Sequence, residues 1–186
     1  DRRGSAAMGY LDPQTRHRNN LQIKSETQVK EILFEGARAI GVVSDCRGQE
    51  HIFKANEVIL CAGAIHSPAM LLRAGIGPVG HLHDMGIDVR VKREGVGQNL
   101  MEHAAAAISA WTKPDARINQ ITRRHVHLGW RYSSNMHNAP PGDMFAIAVD
   151  KSAWHAVGDR LGSMLTWVNK TYSTGQITLS SNGWKS

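Results

Sequence analysis

The sequence predicts an α/β fold for residues 1–103, followed by part of an antiparallel β-sheet domain in residues 104–186. Three observations support this prediction. An unbroken apolar run at residues 58–61 is followed by small residues and a helix-start pattern, which is typical of a strand–turn–helix unit. Three short stretches between residues 28 and 53 alternate in polarity and are separated by tight turns. Beyond residue 103, apolar strand-like stretches are separated by longer connections.

The strand–turn–helix unit is the best-defined part of the sequence. Residues 58–61 are continuously apolar and suit a strand buried on both faces of a parallel sheet. Residues 62–64 are small, so a ligand can come close at the carboxyl end of that strand. Ser67 as N-cap and Pro68 as first helical residue predict where the helix begins, and Gly75 predicts where it ends.

Residues 63–77 read Gly-Ala-Ile-His-Ser-Pro-Ala-Met-Leu-Leu-Arg-Ala-Gly-Ile-Gly and resemble the second signature of the glucose-methanol-choline (GMC) oxidoreductases. The usual signature has serine where this chain has Ala74, so a small residue is retained. GMC enzymes are FAD-dependent and oxidise alcohols. The resemblance therefore implies a Rossmann-like FAD-binding domain, FAD as cofactor and a small-molecule alcohol as substrate.

The alternating stretches at residues 28–34, 37–43 and 50–53 predict a three-stranded β-meander. Many flavin-binding domains carry such a meander before a buried strand. In GMC enzymes the residue that matches Val29 meets the flavin adenine through its backbone, and the resemblance implies the same position here. A half-buried strand valine is the alternative interpretation of Val29.

Residues 95–103, Gly-Val-Gly-Gln-Asn-Leu-Met-Glu-His, resemble another GMC pattern, in which aspartate is usual at the position of Glu102. The two glycines permit the backbone to approach a cofactor closely. The Asn99 amide offers donors and an acceptor to a polar site. The resemblance implies that Asn99 and His103 lie near the flavin; alternatively, His103 hydrogen-bonds a neighbouring loop and orders it.

The resemblance thus implies six cofactor-binding residues: Val29, Ala62, Gly63, Ser67, Asn99 and His103. No catalytic residue is assigned, because the catalytic histidine of GMC enzymes lies near the C-terminus of the complete proteins. The glycine-rich turn that opens the first helix of a flavin domain is not identified either. We therefore expect this chain to correspond to the middle of a GMC enzyme and to be inactive alone.

Local signals predict the remaining elements of the first part. Ser5 predicts the cap of a short helix that ends near Tyr10, and Asp12-Pro13 predicts a break after it. Residues 79–85 predict another short helix, and residues 87–91 an alternating strand.

The second part resembles the substrate domain of GMC enzymes. Its predicted strands are residues 104–111, 144–149, 164–168 and 176–179. Its tryptophans are predicted to lie in the core or at a domain interface, with the wall of a substrate pocket as the alternative; they include Trp130, Trp154 and Trp167.

The composition is that of a globular protein, with 41% hydrophobic and 20% charged residues and no stretch near the roughly 18 apolar residues of a membrane span. The net charge of +6 falls mostly on residues 104–186, which carry nine basic and four acidic side chains. These charges are scattered, so nucleic-acid binding is not expected. Two alternatives to an enzyme fragment stay open: a non-catalytic structural piece that needs a complementary chain, and a basic interaction module.

Cysteines and histidines predict no metal centre. Cys46 and Cys61 form no disulfide framework, and Cys61, within the apolar run, is predicted to be a small core residue. They are consistent with a reducing compartment such as the cytoplasm. His125 and His127 alternate along a strand face, but no third ligand lies nearby unless Asp143 folds in, so no metal is expected. The oligomeric state is left open.

Overall fold

The computed structural model describes residues 4–117, 126–151 and 157–180. Within these ranges the chain divides into two compact units. The first consists of the described residues up to Val96 together with residues 178–180, and the second of those from Gly97 to Ile177. Mixed helices and strands with antiparallel sheets confirm an α/β chain at this coarse level. None of the helices in the described ranges has the length and apolar character needed to cross a bilayer.

The first unit opens with two short helices, α1 (Ala6–Tyr10) and α2 (Pro13–Arg16). Ser5 caps α1 and accepts a hydrogen bond from the Met8 amide at 3.2 Å, which confirms the predicted helix. The Asp12 carboxylate caps α2, and hydrogen bonds from the amide and hydroxyl of Thr15 hold its pKa below the usual range. Helix α2 was not predicted, because Asp-Pro is a helix start as well as a break.

The predicted meander is confirmed. Strands β1 (Thr27–Glu35), β2 (Arg38–Cys46) and β3 (Gln49–Lys54) form an antiparallel sheet in the order β1-β2-β3. Val29 pairs with Ser44 and Glu31 with Val43, so an extra residue in β1 forms a bulge beside Val29. The bulge interrupts the strict alternation that the sequence suggests for β1.

Helix α3 (Gly63–Arg73) begins five residues earlier than predicted, and Pro68 lies inside it. Ser67 is therefore not the N-cap. Its hydroxyl instead accepts a hydrogen bond from the Ala62 amide at 3.0 Å, which satisfies a donor that the helix start leaves without a carbonyl partner. Ser67 thus stabilises the start of helix α3 from a position inside the helix rather than as its N-cap.

The predicted strand at residues 58–61 is wrong. This stretch is assigned to no strand, Ile59 is 76% exposed, and Cys61 is exposed rather than in the core. A parallel strand exists only through hydrogen bonds to a neighbour, and within the described ranges no strand pairs with these residues. An apolar run alone therefore does not define a buried strand.

The rest of the first unit forms its core. Strands β4 (Ile76–Gly77) and β5 (Val91–Lys92) pair in parallel, and helix α4 (Val79–Asp84) lies between them, as predicted, although the strand expected at residues 87–91 is reduced to β5. Leu72 and Leu82 are fully buried and form a cluster with Ile87, against which Leu179 packs.

Glycines 75, 77 and 80 have the spacing of a dinucleotide-binding turn, which the sequence interpretation did not identify. The structure gives them another role. Gly75 follows helix α3 rather than a strand. A side chain at Gly77 would place its Cβ 2.5 Å from a Leu72 methyl carbon, so glycine at this position allows close packing of the turn against the core.

The second unit is a four-stranded antiparallel sheet, which confirms the predicted sheet type. Its strands are β6 (Ala105–Trp111), β7 (Val126–Tyr132), β8 (Met144–Val149) and β9 (Leu161–Val168), in the order β6-β9-β8-β7. Strand β7 extends the polar strand face that the sequence indicated only at His125 and His127. The strand predicted at residues 176–179 is wrong: only Gly175 forms a bridge there, with Leu100.

The 133–143 loop between β7 and β8 is fixed by hydrogen bonds. Asp143 is 3% exposed, and its carboxylate accepts from the Ser134 hydroxyl at 2.6 Å and the Ser134 amide at 2.8 Å. These two donors, the hydroxyl first, hold the pKa of Asp143 below its usual range. Lys170 and Tyr172 also donate to loop carbonyls, at Pro141 and Asn138 respectively.

The tryptophans of the sheet are only partly covered. Trp167 and Trp130 are half-buried, and the Trp167 ring lies 4.9 Å from that of Phe145. Trp154 and His125 lie outside the described residues.

Candidate cofactor-binding site

A cleft of about 510 Å³ lies in the first unit, between the meander and helix α3. Strands β1 and β2 contribute Gln28, Val29 and Val42 to its wall. Residues 58–62 form its base, and His66, Met70 and Arg73 of helix α3 form the opposite wall. Strands and helix therefore approach the cleft from two sides of one unit.

The helix wall follows from the helical repeat. His66, Met70 and Arg73 are spaced i, i+4 and i+7, so they lie on one face of helix α3. Leu72 points into the core with Leu82, which fixes the orientation of the helix. The same helix thus anchors the unit on one face and lines the cleft with another.

The lining combines apolar surface with a few polar groups. Valine, isoleucine, leucine and methionine side chains provide most of it, and Gln28, His66 and Arg73 add hydrogen-bonding or basic groups. This combination is common in cofactor and ligand sites. A guanidinium such as that of Arg73 suits a phosphate because of its planar donors and permanent charge.

The corner between the base and the helix depends on Gly63 and Ser67. Gly63 has φ +83°, a conformation that other residues rarely adopt, and a Cβ there would meet open space. The requirement for glycine is therefore one of backbone conformation. The Ser67 hydroxyl holds the Ala62 amide, so Ser67 positions the cleft base and that amide is already engaged.

The predicted site residues fall into two groups. Val29 and Ala62 line the cleft, and Gly63 and Ser67 build its corner. Asn99 (φ +60°) belongs to the second unit, as does His103, whose own amide donates to Glu102 at 2.7 Å.

Sequence reasoning missed the helix face and Gln28. The spacing of His66, Met70 and Arg73 would have indicated that face if the helix had been predicted to begin at Gly63.

Comparisons with known proteins agree on the family. Residues 1–105 match the GMC oxidoreductase family. A 5-(hydroxymethyl)furfural oxidase of Methylovorus sp. (strain MP688) is 43% identical over 185 residues, which are 96% of this chain and 33% of that protein. The mitochondrial choline dehydrogenase of Homo sapiens is 45% identical over 115 residues, covering 61% of this chain and 19% of that protein. The chain thus spans a third or less of the length of these relatives.

Solved structures with the same fold include a formate oxidase, with a TM-score of 0.73 and 20% identity over 89% of this chain and 38% of that one. A pyridoxine 4-oxidase from Mesorbium loti gives a TM-score of 0.66 and 22% identity, covering 95% of this chain and 36% of that one. At these identities the likeness shows the fold alone. The family match and the identity to the curated oxidase confirm the resemblance seen in the sequence. This chain belongs to the GMC oxidoreductase family, whose cofactor is FAD.

Proposed function

We propose that this chain is part of an FAD-dependent oxidoreductase that oxidises a CH–OH group of a small alcohol. Membership of the GMC family supports the reaction class, and the names of the relatives support alcohol-type substrates. The observation that carries the proposal is the cleft, because two residues that the family resemblance places beside FAD, Val29 and Ala62, line it together.

The residues present fit part of a dinucleotide. A volume of about 510 Å³ lies within the range of about 300–1,000 Å³ typical of small-molecule sites. Its apolar walls suit a flat base, and Arg73 and His66 supply groups for a phosphate or sugar. Bound FAD would accept the hydride that leaves the alcohol carbon. In this proposal the cleft residues bind and orient the cofactor.

The assignments of the two domains and of the remaining cofactor residues are part of the same proposal. The first part, to residue 103, would be the later portion of a Rossmann-like FAD-binding domain, and the second part a portion of the substrate domain. Asn99 and His103 remain proposed cofactor residues by family pattern. No residue of this chain is proposed as a catalytic acid or base.

We propose that the 186 residues do not catalyse alcohol oxidation alone. The glycines that have the spacing of a nucleotide turn follow helix α3 rather than a strand, and the sequence shows no recognised catalytic histidine. An assay of alcohol oxidation by the purified chain with added FAD should therefore give no turnover. Robust turnover would show this part of the proposal to be wrong.

Binding of FAD tests the cleft directly. The purified chain is titrated against FAD, with quenching of flavin fluorescence as readout, and gel filtration shows whether flavin is retained. We expect saturable binding that Arg73→Glu weakens strongly, because a carboxylate would replace the cation proposed to hold an FAD phosphate.

Arg93→Glu is the matched control, since Arg93 is exposed and does not line the cleft. Absence of saturable binding, or equal weakening by both substitutions, would count against the cleft as the flavin site.

A further inference from the structure

We propose that Arg90 is a positioning residue that holds the two walls of the cleft at the separation needed for cofactor binding. The inference rests on the proposed function of the cleft as an FAD site. Arg90 does not line the cleft. Its side chain connects the strand wall and the helix wall from outside, so its effect on the cofactor would be indirect.

The contacts of Arg90 reach three elements. Its Nη1 donates to the Gly36 carbonyl at 3.0 Å, and its Nε donates towards the Ala74 carbonyl at 3.3 Å. The guanidinium carbon lies 4.6 Å from the centre of the Phe34 ring. Its main-chain N–H donates to the Gly75 carbonyl at 2.8 Å, which fixes the start of the side chain. One planar cation therefore makes two carbonyl bonds and a ring contact.

These partners lie at the far ends of the two cleft walls. Phe34 belongs to strand β1, and Gly36 to the turn that follows it; the same strand carries Val29 into the cleft. Ala74 is the C-cap of helix α3, whose preceding turns carry Met70 and Arg73 into the cleft.

The last carbonyls of a helix lack intrahelical donors and favour a nearby cation. Arg90 satisfies one of them and, with the same guanidinium, binds the end of the strand wall.

Lysine at this position separates geometry from charge. An ammonium keeps the positive charge but lacks the planar fork that reaches two carbonyls while stacking on a ring. If Arg90 acts only through its charge, Arg90→Lys should behave as wild type. If it acts by spanning the two walls, Arg90→Lys should fall between wild type and Arg90→Gln.

The experiment compares Arg90→Gln and Arg90→Lys with the control Arg93→Gln. Arg93 is an exposed arginine three residues later, and its side chain donates to the adjacent Lys92 carbonyl. The first readout is the Kd for FAD. If Arg90→Gln leaves about a tenth of the molecules with a competent cleft, the apparent Kd rises about tenfold. Arg93→Gln should leave it unchanged.

The second readout does not depend on FAD. Spin labels at Lys30→Cys on strand β1 and Ile65→Cys on helix α3, with both native cysteines replaced by serine, report the distance between the walls. Both positions are exposed, so the labels do not disturb packing. Arg90→Gln should broaden or shift the distance distribution, and Arg93→Gln should not.

The two readouts separate the possible failures. A wild-type chain that does not bind FAD, with wall distances that still depend on Arg90, refutes the flavin site and leaves the positioning role supported. An unchanged distance distribution in Arg90→Gln overturns the inference, whether or not FAD binds. A lower melting temperature with unchanged Kd and distances would show that Arg90 is merely structural.

Should Arg90→Gln fail to fold, Phe34→Leu and Arg90→Lys are measured in the same way. Phe34→Leu removes only the ring contact, and Arg90→Lys removes the fork. If neither changes the distances or the Kd, the inference is wrong.

Discussion

The contact between Gly77 and Leu72 makes a quantitative prediction about the core of the first unit. Leu72 is fully buried, and replacing it with alanine should leave a cavity that costs about 3 kcal/mol of unfolding free energy. Gly77→Ala would place a methyl 2.5 Å from a Leu72 methyl carbon, well inside ordinary carbon–carbon contact. This overpacking should cost about 1–3 kcal/mol.

The double substitution should cost less than the sum of the two single ones. The methyl of Gly77→Ala would occupy part of the space that Leu72→Ala vacates, so each change relieves the other. We expect a coupling free energy of about 1–2 kcal/mol in favour of the double variant, within the range known for residues in contact.

Urea unfolding followed by far-ultraviolet circular dichroism measures these free energies. All α-helices in the described part of the chain lie in the first unit, so the helical signal reports mainly on that unit. Ile65→Ala is the control, because Ile65 is on the same helix but 57% exposed and should change stability little. A double variant whose cost equals the sum of the single costs would refute the packing argument.

Three further predictions concern single sites. Folding lowers the pKa of Asp143, so the ionised carboxylate contributes to stability above about pH 4, and this contribution is lost as the pH falls through the folded-state pKa. Asp143→Asn should remove this acid dependence. Denaturation followed by tryptophan fluorescence at several pH values would show whether it does. Tyr132→Phe removes the 2.7 Å hydrogen bond to the Thr166 hydroxyl and should cost about 1 kcal/mol in urea unfolding, whereas an unchanged midpoint would show that bond to be unimportant. Gly75→Ala should cost more than about 1 kcal/mol, because Gly75 has φ +78° and a Cβ would press on the Asp88 carbonyl; a thermal melt equal to wild type would contradict this.

Signals that depend on neighbouring residues were reliable in this sequence. Alternation and tight turns predicted the meander, and Ser5 predicted the cap of the first helix. The strand at residues 144–149 was predicted at its observed bounds. The meander and the first helix depend on residues close in the chain, whereas the strand at residues 144–149 pairs with β7 and β9 across longer connections.

Two patterns gave wrong predictions. Residues 58–61 have the composition of a buried strand, but composition does not provide the parallel neighbour that such a strand requires. Ser67-Pro68 is a typical helix start, yet both residues lie inside helix α3, where the Ser67 hydroxyl accepts a hydrogen bond from the Ala62 amide.

For the candidate site, the family pattern correctly indicated that Val29 and Ala62 lie in one place, since both line the cleft. The helix face formed by His66, Met70 and Arg73 could be predicted only with the correct start of helix α3. The contacts of Arg90 could not be predicted, because they depend on the folded position of the turn at Gly36.

The first unit is built from two segments that are separated in the sequence by the second unit, and this has a consequence for its synthesis. Leu179 packs on the Leu72 cluster, and its amide donates to His81 Nε2 at 3.0 Å. Because the ribosome synthesises residues in order, Leu179 can cover this cluster only after residues 97–177 have been made. The core of the first unit is therefore completed by a segment that follows the whole second unit in the chain.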